Sequence, residues 1–183
     1  DNGLDPDDID FICFIMPLSL ADEATEDSDM RGMIGEIEYQ LKDGKPKLIV
    51  VDTLARSFTG KDENSATDMG IFVRNMDILK NKFNCSVLVV HHSGKDSDRG
   101  MRGSSALRGA VDSEYEIKRQ GDDMTVCLKV KKQKDTEEAE PLYLQAREVS
   151  WHEALGVEQT SLVLDPRDEP PKKQFISGDQ GVE

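Results

Sequence analysis

The strongest constraint on the fold is a run of β-favouring apolar residues that ends in an acid. Residues 48–51 read Leu-Ile-Val-Val and lead directly into Asp52 and Thr53. A continuous apolar run of this length is typical of a strand that is buried on both faces, as in a parallel sheet. Open α/β sheets bind their ligands at the carboxyl ends of the strands, so Asp52 is a candidate site residue.

The same pattern recurs on both sides of this run. Residues 86–90, Ser-Val-Leu-Val-Val, predict a second buried strand that ends at His91-His92, and residues 11–16, Phe-Ile-Cys-Phe-Ile-Met, predict another. Two stretches between them have apolar residues at helical spacing, and the first predicts a helix over 28–42. The positions are Met30, Met33, Ile34, Ile37 and Leu41 in the first stretch and Met69, Phe72, Val73, Met76, Leu79 and Phe83 in the second. Strands that alternate with helices predict right-handed crossovers and a parallel sheet.

The pattern changes after His92. Residues 93–104 are polar and glycine-rich, which predicts a loop, and residues 105–111 allow a short helix. Strand-like runs follow at 115–118, 124–130, 142–149 and 161–164, with a hairpin turn at Gly121-Asp122. We therefore expect the α/β class, with a mainly parallel twisted sheet flanked by helices and antiparallel strands extending it at the C-terminal side. The expected domain covers residues 1–165, and the composition of 166–183 is typical of a disordered tail.

Composition narrows the classes of function. The 183 residues suffice for one domain with a full core, and a formal net charge of −14 argues against a surface that binds nucleic acid everywhere. Basic residues nevertheless gather at 95–108 and 129–134. The three cysteines form no C-x-x-C pair, so we expect buried, reduced thiols in a cytosolic protein. No run reaches the length of a membrane span and no signal peptide is present, which predicts a cytoplasmic protein without membrane partners.

The residues at the two strand ends each have a functional and a structural interpretation. An acid such as Asp52 holds the magnesium that bridges the phosphates in nucleotide hydrolases, but it can equally cap the following loop. His91 and His92 point in opposite directions if the strand alternation continues, so at most one of them faces the site. That ring can contact a γ-phosphate or the attacking water; the alternative is a pair of satisfied, partly buried histidines.

Two later segments add candidate groups. Residues 100–112 contain small residues and paired serines, which suit either backbone approach to phosphate or an ordinary flexible loop. Lys132 and Lys134 share one side of a strand, where two cations can serve a polyphosphate bound by a neighbouring subunit. The alternative is a charged strand edge that prevents aggregation.

Four segments, in this order, resemble the RecA-like P-loop ATPase core. They are LIVVDTLARS at 48–57, LVVHHSGKD at 88–96, RGSSALRGAVD at 102–112 and VKKQKD at 130–135. The similarity extends over roughly residues 10–165. It is closest to the RepA-type hexameric replicative helicases and their phage, plasmid and bacterial relatives, the AAA domain proteins.

The resemblance implies a role for each matching residue. Asp52 matches the Walker B acid that orders magnesium and its waters, and Thr53 lies beside it in the nucleotide site. His92 matches the sensor position, so His91 points into the fold. Lys132 and Lys134 match the Lys and Arg finger positions that reach a γ-phosphate across a subunit interface. Because Lys134 replaces arginine, it cannot make the bidentate contact of that finger.

The same resemblance implies cofactors and partners. ATP and Mg²⁺ are the implied ligands, and single-stranded DNA and a homo-hexameric ring are the implied partners, in a bacterial or phage-infected cell. Residues 93–103 match the loop that faces the central channel, where Lys95, Arg99 and Arg102 would contact DNA phosphates.

One part of the family pattern is missing from the sequence. No G-x-x-x-x-G-K-[ST] phosphate loop is present, and Glu36 and Glu38 lie on a predicted helix, where they are poor substitutes for the water-activating base. The chain also begins without Met. We therefore expect the C-terminal portion of an ATPase domain, which by itself neither binds ATP tightly nor hydrolyses it.

The expected function is that of an ATP-dependent DNA helicase or replication ATPase that couples ATP hydrolysis to movement on single-stranded DNA. A non-catalytic RecA-like regulator or loader of replication is one alternative. A recombinase-type ATPase of the same fold is another.

Overall fold

The chain divides into two compact units, residues 1–110 and residues 111–183. The computed structural model describes residues 11–42, 44–92, 105–120, 124–152, 156 and 158–168. The described elements of the first unit are α1 (Asp29–Leu41), β1 (Leu48–Asp52), a 3₁₀ turn (Leu54–Ser57), α2 (Ala66–Phe83), β2 (Ser86–Val90) and α3 (Ser105–Ala110). Those of the second unit are β3 (Ser113–Gln120), β4 (Thr125–Gln133), β5 (Leu142–His152) and β6 (Glu158–Arg167).

The parallel pairing expected from the two apolar runs is confirmed in the first unit. β1 pairs with β2 in parallel, in a register that runs from Leu48 opposite Ser86 to Asp52 opposite Val90. The strand bounds agree with the predicted 48–52 and 86–90. α2 connects the two strands, as a parallel crossover requires.

Both predicted helices of the first unit form, and a serine caps the start of each. The Ser28 hydroxyl accepts from the Arg31 amide at the start of α1, and the Ser65 hydroxyl accepts from the Asp68 amide at the start of α2. α2 ends at Asn84 in the left-handed conformation, with lysines in its last turn. These caps satisfy backbone groups that a helix end would otherwise leave unpaired.

The core of the first unit contains a polar residue that the hydrophobic pattern did not predict. Asn75 on α2 is fully buried among the apolar positions of that helix. Its Nδ2 donates to the carbonyl oxygens of Leu20 and Asp22, at 2.9 and 2.8 Å. The side chain therefore fixes residues 20–22 against α2. Phe58 and Phe72 also pack together here, with ring centroids 5.3 Å apart.

Three expectations for the first unit are wrong. Residues 11–16 are irregular rather than a buried strand, and Phe11 and Ile15 are 80% and 94% exposed; in the described part of the chain β1 pairs with β2 alone, so these residues join no ladder. β1 is not buried on both faces, because Leu48 and Val50 are each about half exposed and only Val51 is buried. β2, expected to be a second buried strand, has no buried residue, and Leu88 is 44% exposed, so the described residues leave one face of this two-stranded sheet open.

The second unit is an antiparallel sheet in the order β3-β4-β5-β6. The predicted antiparallel strands are thereby confirmed, together with the α/β class and the short helix α3. They form a four-stranded sheet of their own rather than an extension of the parallel one. β6 ends at Arg167, two residues into the expected tail, and the predicted turn at Gly121-Asp122 lies outside the described residues.

Burial along β4 agrees only in part with the alternating apolar residues Met124, Val126, Leu128 and Val130, which were expected to mark the buried side. Val130 is buried, but Val126 and Leu128 are half-buried and Met124 is exposed, whereas Thr125 and Cys127 on the other side are buried. Thr125 belongs to a polar network in which Arg167 Nη1 donates to Thr125 Oγ1 at 2.8 Å and to Gln145 Oε1 at 3.0 Å. The apolar face instead carries half-exposed side chains, at Tyr115, Ile117, Leu142, Leu162 and Leu164.

Among the described residues, no helix is both long and apolar enough to cross a membrane.

Candidate active site

The carboxyl ends of β1 and β2 bring the two main candidate residues to the same edge of the parallel sheet. Asp52 is the last residue of β1 and lies opposite Val90, the last residue of β2. His92 follows two positions later. Because the strands are parallel and in this register, residues that are far apart in the sequence reach the same end of the sheet.

Asp52, Thr53 and His92 line an open cleft of about 500 Å³, together with Arg56. The side chains of Asp52, Arg56 and His92 are exposed, and that of Thr53 is half-buried. The cleft therefore offers a carboxylate, a hydroxyl, an imidazole and a guanidinium to one ligand. Its described lining contains no apolar side chain, which suits a small charged ligand better than an apolar one.

Arg56 is the residue of this cleft that sequence reasoning missed. It lies in the 3₁₀ turn that follows β1, where its amide donates to the Thr53 carbonyl oxygen at 3.1 Å. The turn reverses the chain after β1, and Arg56 lines the same cleft as Thr53. The sequence Leu-Ala-Arg-Ser after Asp52-Thr53 contains this arginine. Placing its side chain in the cleft requires knowing that residues 54–57 form a short 3₁₀ turn.

The two histidines differ in their surroundings, as expected from alternation. His92 is exposed in the cleft, whereas His91 is half-buried. The Nδ1 atom of His91 is buried and makes no hydrogen bond within the described part of the chain. The sensor role of His92 stays a prediction.

The two finger candidates lie in the second unit, and both contact the end of the segment RGSSALRGAVD. Lys132 Nζ donates to the carbonyl oxygen of Val111 at 2.6 Å. Lys134 follows the end of β4, its amide donates to the Asp112 carbonyl oxygen, and its Nζ pairs with the Asp112 carboxylate at 3.5 Å. Lys132 thus contacts Val111 and Lys134 contacts Asp112, so both charges are engaged within the same chain.

Three candidate residues have no structural description. Lys95, Arg99 and Arg102, the predicted DNA contacts, lie outside the described residues. Their role therefore stays a prediction from the sequence.

The described residues of the cleft fit a magnesium–phosphate ligand. Mg²⁺ prefers oxygen ligands and usually takes one or two carboxylates, with waters and phosphate oxygens completing its shell. Asp52 supplies one exposed carboxylate and Thr53 a neighbouring hydroxyl. The described residues contain no group of three or more His, Cys, Asp or Glu side chains able to hold a metal ion.

A family model described as AAA domain matches residues 5–98, more than half of the chain. The chain belongs to the AAA domain family. The match includes β1, α2, β2 and all four described residues that line the cleft of this AAA domain. Membership confirms the ATPase-domain part of the expected resemblance, whereas the RepA helicase type stays a prediction.

Comparison with other proteins adds less. No curated protein matches the AAA domain chain. A solved structure titled "Crystal structure of the RadB recombinase" is similar with a TM-score of 0.48 and 13% sequence identity, over 67% of this chain. The chain spans 57% of the RadB chain's length. This TM-score is too low to support an inference.

Proposed function

We propose that this AAA domain is part of an ATPase that couples ATP hydrolysis to movement on single-stranded DNA, as a RepA-like helicase or replication ATPase. The observation that supports the proposal is the shared cleft of Asp52, Thr53 and His92 at the carboxyl edge of the parallel sheet, in a chain of the AAA family. That edge is where open α/β sheets bind nucleotides.

Each residue of the cleft would have a separate role in phosphoryl transfer to water. Asp52 would hold magnesium through water, and the bound ion would neutralise the charge that develops on the phosphate oxygens. Thr53 places a hydroxyl beside that carboxylate. His92, exposed in the same cleft, would donate to the γ-phosphate or orient the attacking water. The 183 residues contain no G-x-x-x-x-G-K-[ST] motif, so this cleft would supply the magnesium side of the nucleotide site rather than its phosphate loop.

The proposal extends to partners. Lys95, Arg99 and Arg102 would contact the phosphates of single-stranded DNA. Lys132 and Lys134 would act at the neighbouring site of a homo-hexameric ring, for which they would have to exchange their contacts with Val111 and Asp112.

A non-catalytic regulator or loader is the second candidate. The observation that favours it is the engagement of both finger lysines within the second unit. Such a protein would bind nucleotide or partner proteins without turnover.

The test is steady-state hydrolysis of Mg-ATP by the full-length natural protein, with and without single-stranded DNA. Asp52→Asn should lower kcat by about 100-fold or more, because it removes the charge that orders magnesium, and should leave DNA binding intact. Asp77→Asn, an exposed acid on α2, is the matched control and should change nothing. Absence of hydrolysis in the natural protein would favour the regulator. Hydrolysis that survives Asp52→Asn would remove the Walker B assignment.

A further inference from the structure

Arg56 is a cation of the Asp52 cleft that the proposed reaction does not yet use. Other basic side chains of the first unit are engaged by acids: Lys61 pairs with Asp22, Arg74 with Glu23 and Lys82 with Glu38. Within the described part of the chain Arg56 forms no such pair, although it lines the same cleft as Asp52. Among the described residues, its charge is therefore available to a ligand.

The backbone that carries Arg56 is fixed on both sides. Leu54 is fully buried and Phe58 is 5% exposed, and Phe58 packs on Phe72. Ser57 is buried as well; its hydroxyl donates to the Thr53 carbonyl oxygen, and its own carbonyl oxygen accepts from the Leu20 amide at 2.9 Å. A side chain carried by such an anchored turn loses less entropy when it binds a ligand than one on a free loop.

The charges of the cleft select the class of ligand. A bare polyphosphate would be repelled by Asp52, and a bare divalent cation would be repelled by Arg56. A metal-chelated polyphosphate satisfies both, because its cation meets the carboxylate and its free oxygens meet the guanidinium. Guanidinium groups bind phosphate through two parallel hydrogen bonds, which a lysine cannot provide.

We propose that Arg56 binds phosphate oxygens of magnesium-bound ATP in the same subunit, and so supplies in cis the bidentate contact that Lys134 cannot make. This inference rests on the proposed function. Lys132 and Lys134 are engaged by Val111 and Asp112 in the second unit, whereas Arg56 lines the same cleft as Asp52, whose carboxylate would hold the metal. Arg56 is thereby a ligand-contacting residue of the nucleotide site rather than a surface charge.

The test compares Arg56→Ala and Arg56→Lys with Arg31→Ala in the full-length natural protein. Arg31 is an exposed arginine of α1 and serves as the matched control. The measurements are kcat and KM for Mg-ATP, with and without single-stranded DNA, and the Kd of Mg-ATP from fluorescence titration. Loss of one charge-assisted bidentate contact should lower kcat/KM by about 10- to 100-fold in Arg56→Ala. Arg56→Lys should lie between Arg56→Ala and the natural protein, and Arg31→Ala should equal the natural protein.

Other outcomes would overturn either the Arg56 inference or the proposed function. If Asp52→Asn abolishes hydrolysis while Arg56→Ala matches Arg31→Ala in kcat/KM and Kd, the Arg56 inference is overturned and the proposed function stands. If Arg56→Ala loses only the stimulation by DNA, Arg56 contacts DNA and the inference is again overturned. If the natural protein does not hydrolyse ATP, the proposed function fails, and the Kd of Mg-ATP alone decides on Arg56. Because Arg56 is exposed, its truncation should leave the thermal unfolding midpoint unchanged, which excludes misfolding as the cause.

Discussion

At the scale of single residues, the burial of the three cysteines departs from the expectation that all of them are buried. Cys127 is buried and Cys85 half-buried, but Cys13 is exposed, because residues 11–16 do not form the expected buried strand. Burial raises the pKa of the Cys85 thiol, since the charged thiolate loses hydration. We therefore expect the three cysteines to differ in reactivity, although each lies in a similar apolar run.

The prediction at the residue scale concerns the alkylation of the cysteines by iodoacetamide in the folded protein. Cys13 should react first, because the thiolate must be accessible to the reagent. Cys85 should react slowly at neutral pH and gain rate as the pH rises, because its raised pKa keeps it protonated to a higher pH than an ordinary thiol. Mass spectrometry of peptides from a time course checks the order, with Cys13→Ser as the control. Equal rates at Cys13 and Cys85 would contradict the exposed position of residues 11–16.

At the scale of elements, the second unit is held by polar contacts as well as by packing. Thr125 is fully buried, donates to Gln145 Oε1 at 3.2 Å and accepts from Arg167 Nη1, which ties β4, β5 and β6 together. Buried hydrogen-bonded groups cost more to break than exposed apolar contacts, since the remaining partner stays desolvated. The polar face of this sheet therefore matters more for its stability than the sequence alternation suggests.

The element-scale prediction compares two threonines of the same sheet. Thr125→Val keeps the shape but removes the hydroxyl, and should lower the free energy of unfolding by about 1–3 kcal/mol. Thr160→Val, at an exposed position of β6, should change it by less than about 0.5 kcal/mol. Urea denaturation followed by circular dichroism gives both values. Equal losses in the two variants would show that the network around Arg167 does not stabilise the sheet.

At the scale of the whole molecule, the family match lies in one unit and the net charge is strongly negative. The family match covers residues 5–98, which all belong to the first unit, while the finger lysines belong to the second. The net charge of −14 opposes binding to DNA over most of the surface. Any DNA contact should therefore be local and depend on a few cations.

The whole-molecule prediction is the salt dependence of single-stranded DNA binding by the natural protein. Three phosphate contacts from Lys95, Arg99 and Arg102 predict a slope of about −2 for the logarithm of the association constant against the logarithm of salt concentration. Changing all three to Gln should bring the slope close to zero. A charge-matched control changes Lys42, Lys45 and Lys47 to Gln, and should keep the slope. Fluorescence anisotropy measures both, and equal slopes in the two triple variants would refute the channel-loop assignment.

Local sequence predicted the elements that depend on local interactions. The bounds of β1 and β2 and the two amphipathic helices follow from residue spacing. The capping serines Ser28 and Ser65 bond to backbone amides three residues further on, a local signal that the prediction did not use. The order strand–helix–strand also predicted the parallel pairing, and with it the meeting of Asp52 and His92. Asn75 escaped prediction, because its partners Leu20 and Asp22 are more than fifty residues away.

The sequence by itself thus determined the α/β class, the strand that ends in Asp52, the strand that directly precedes His91-His92, and the motifs that identify an AAA domain. Only the tertiary structure decided which faces are buried, that residues 11–16 are exposed, that Arg56 lines the Asp52 cleft and that Lys132 and Lys134 contact Val111 and Asp112. The physical reason is the distance along the sequence over which each kind of interaction acts. Periodicity and capping act over a few residues, whereas burial, ladder pairing and ion pairs depend on which distant segments come together.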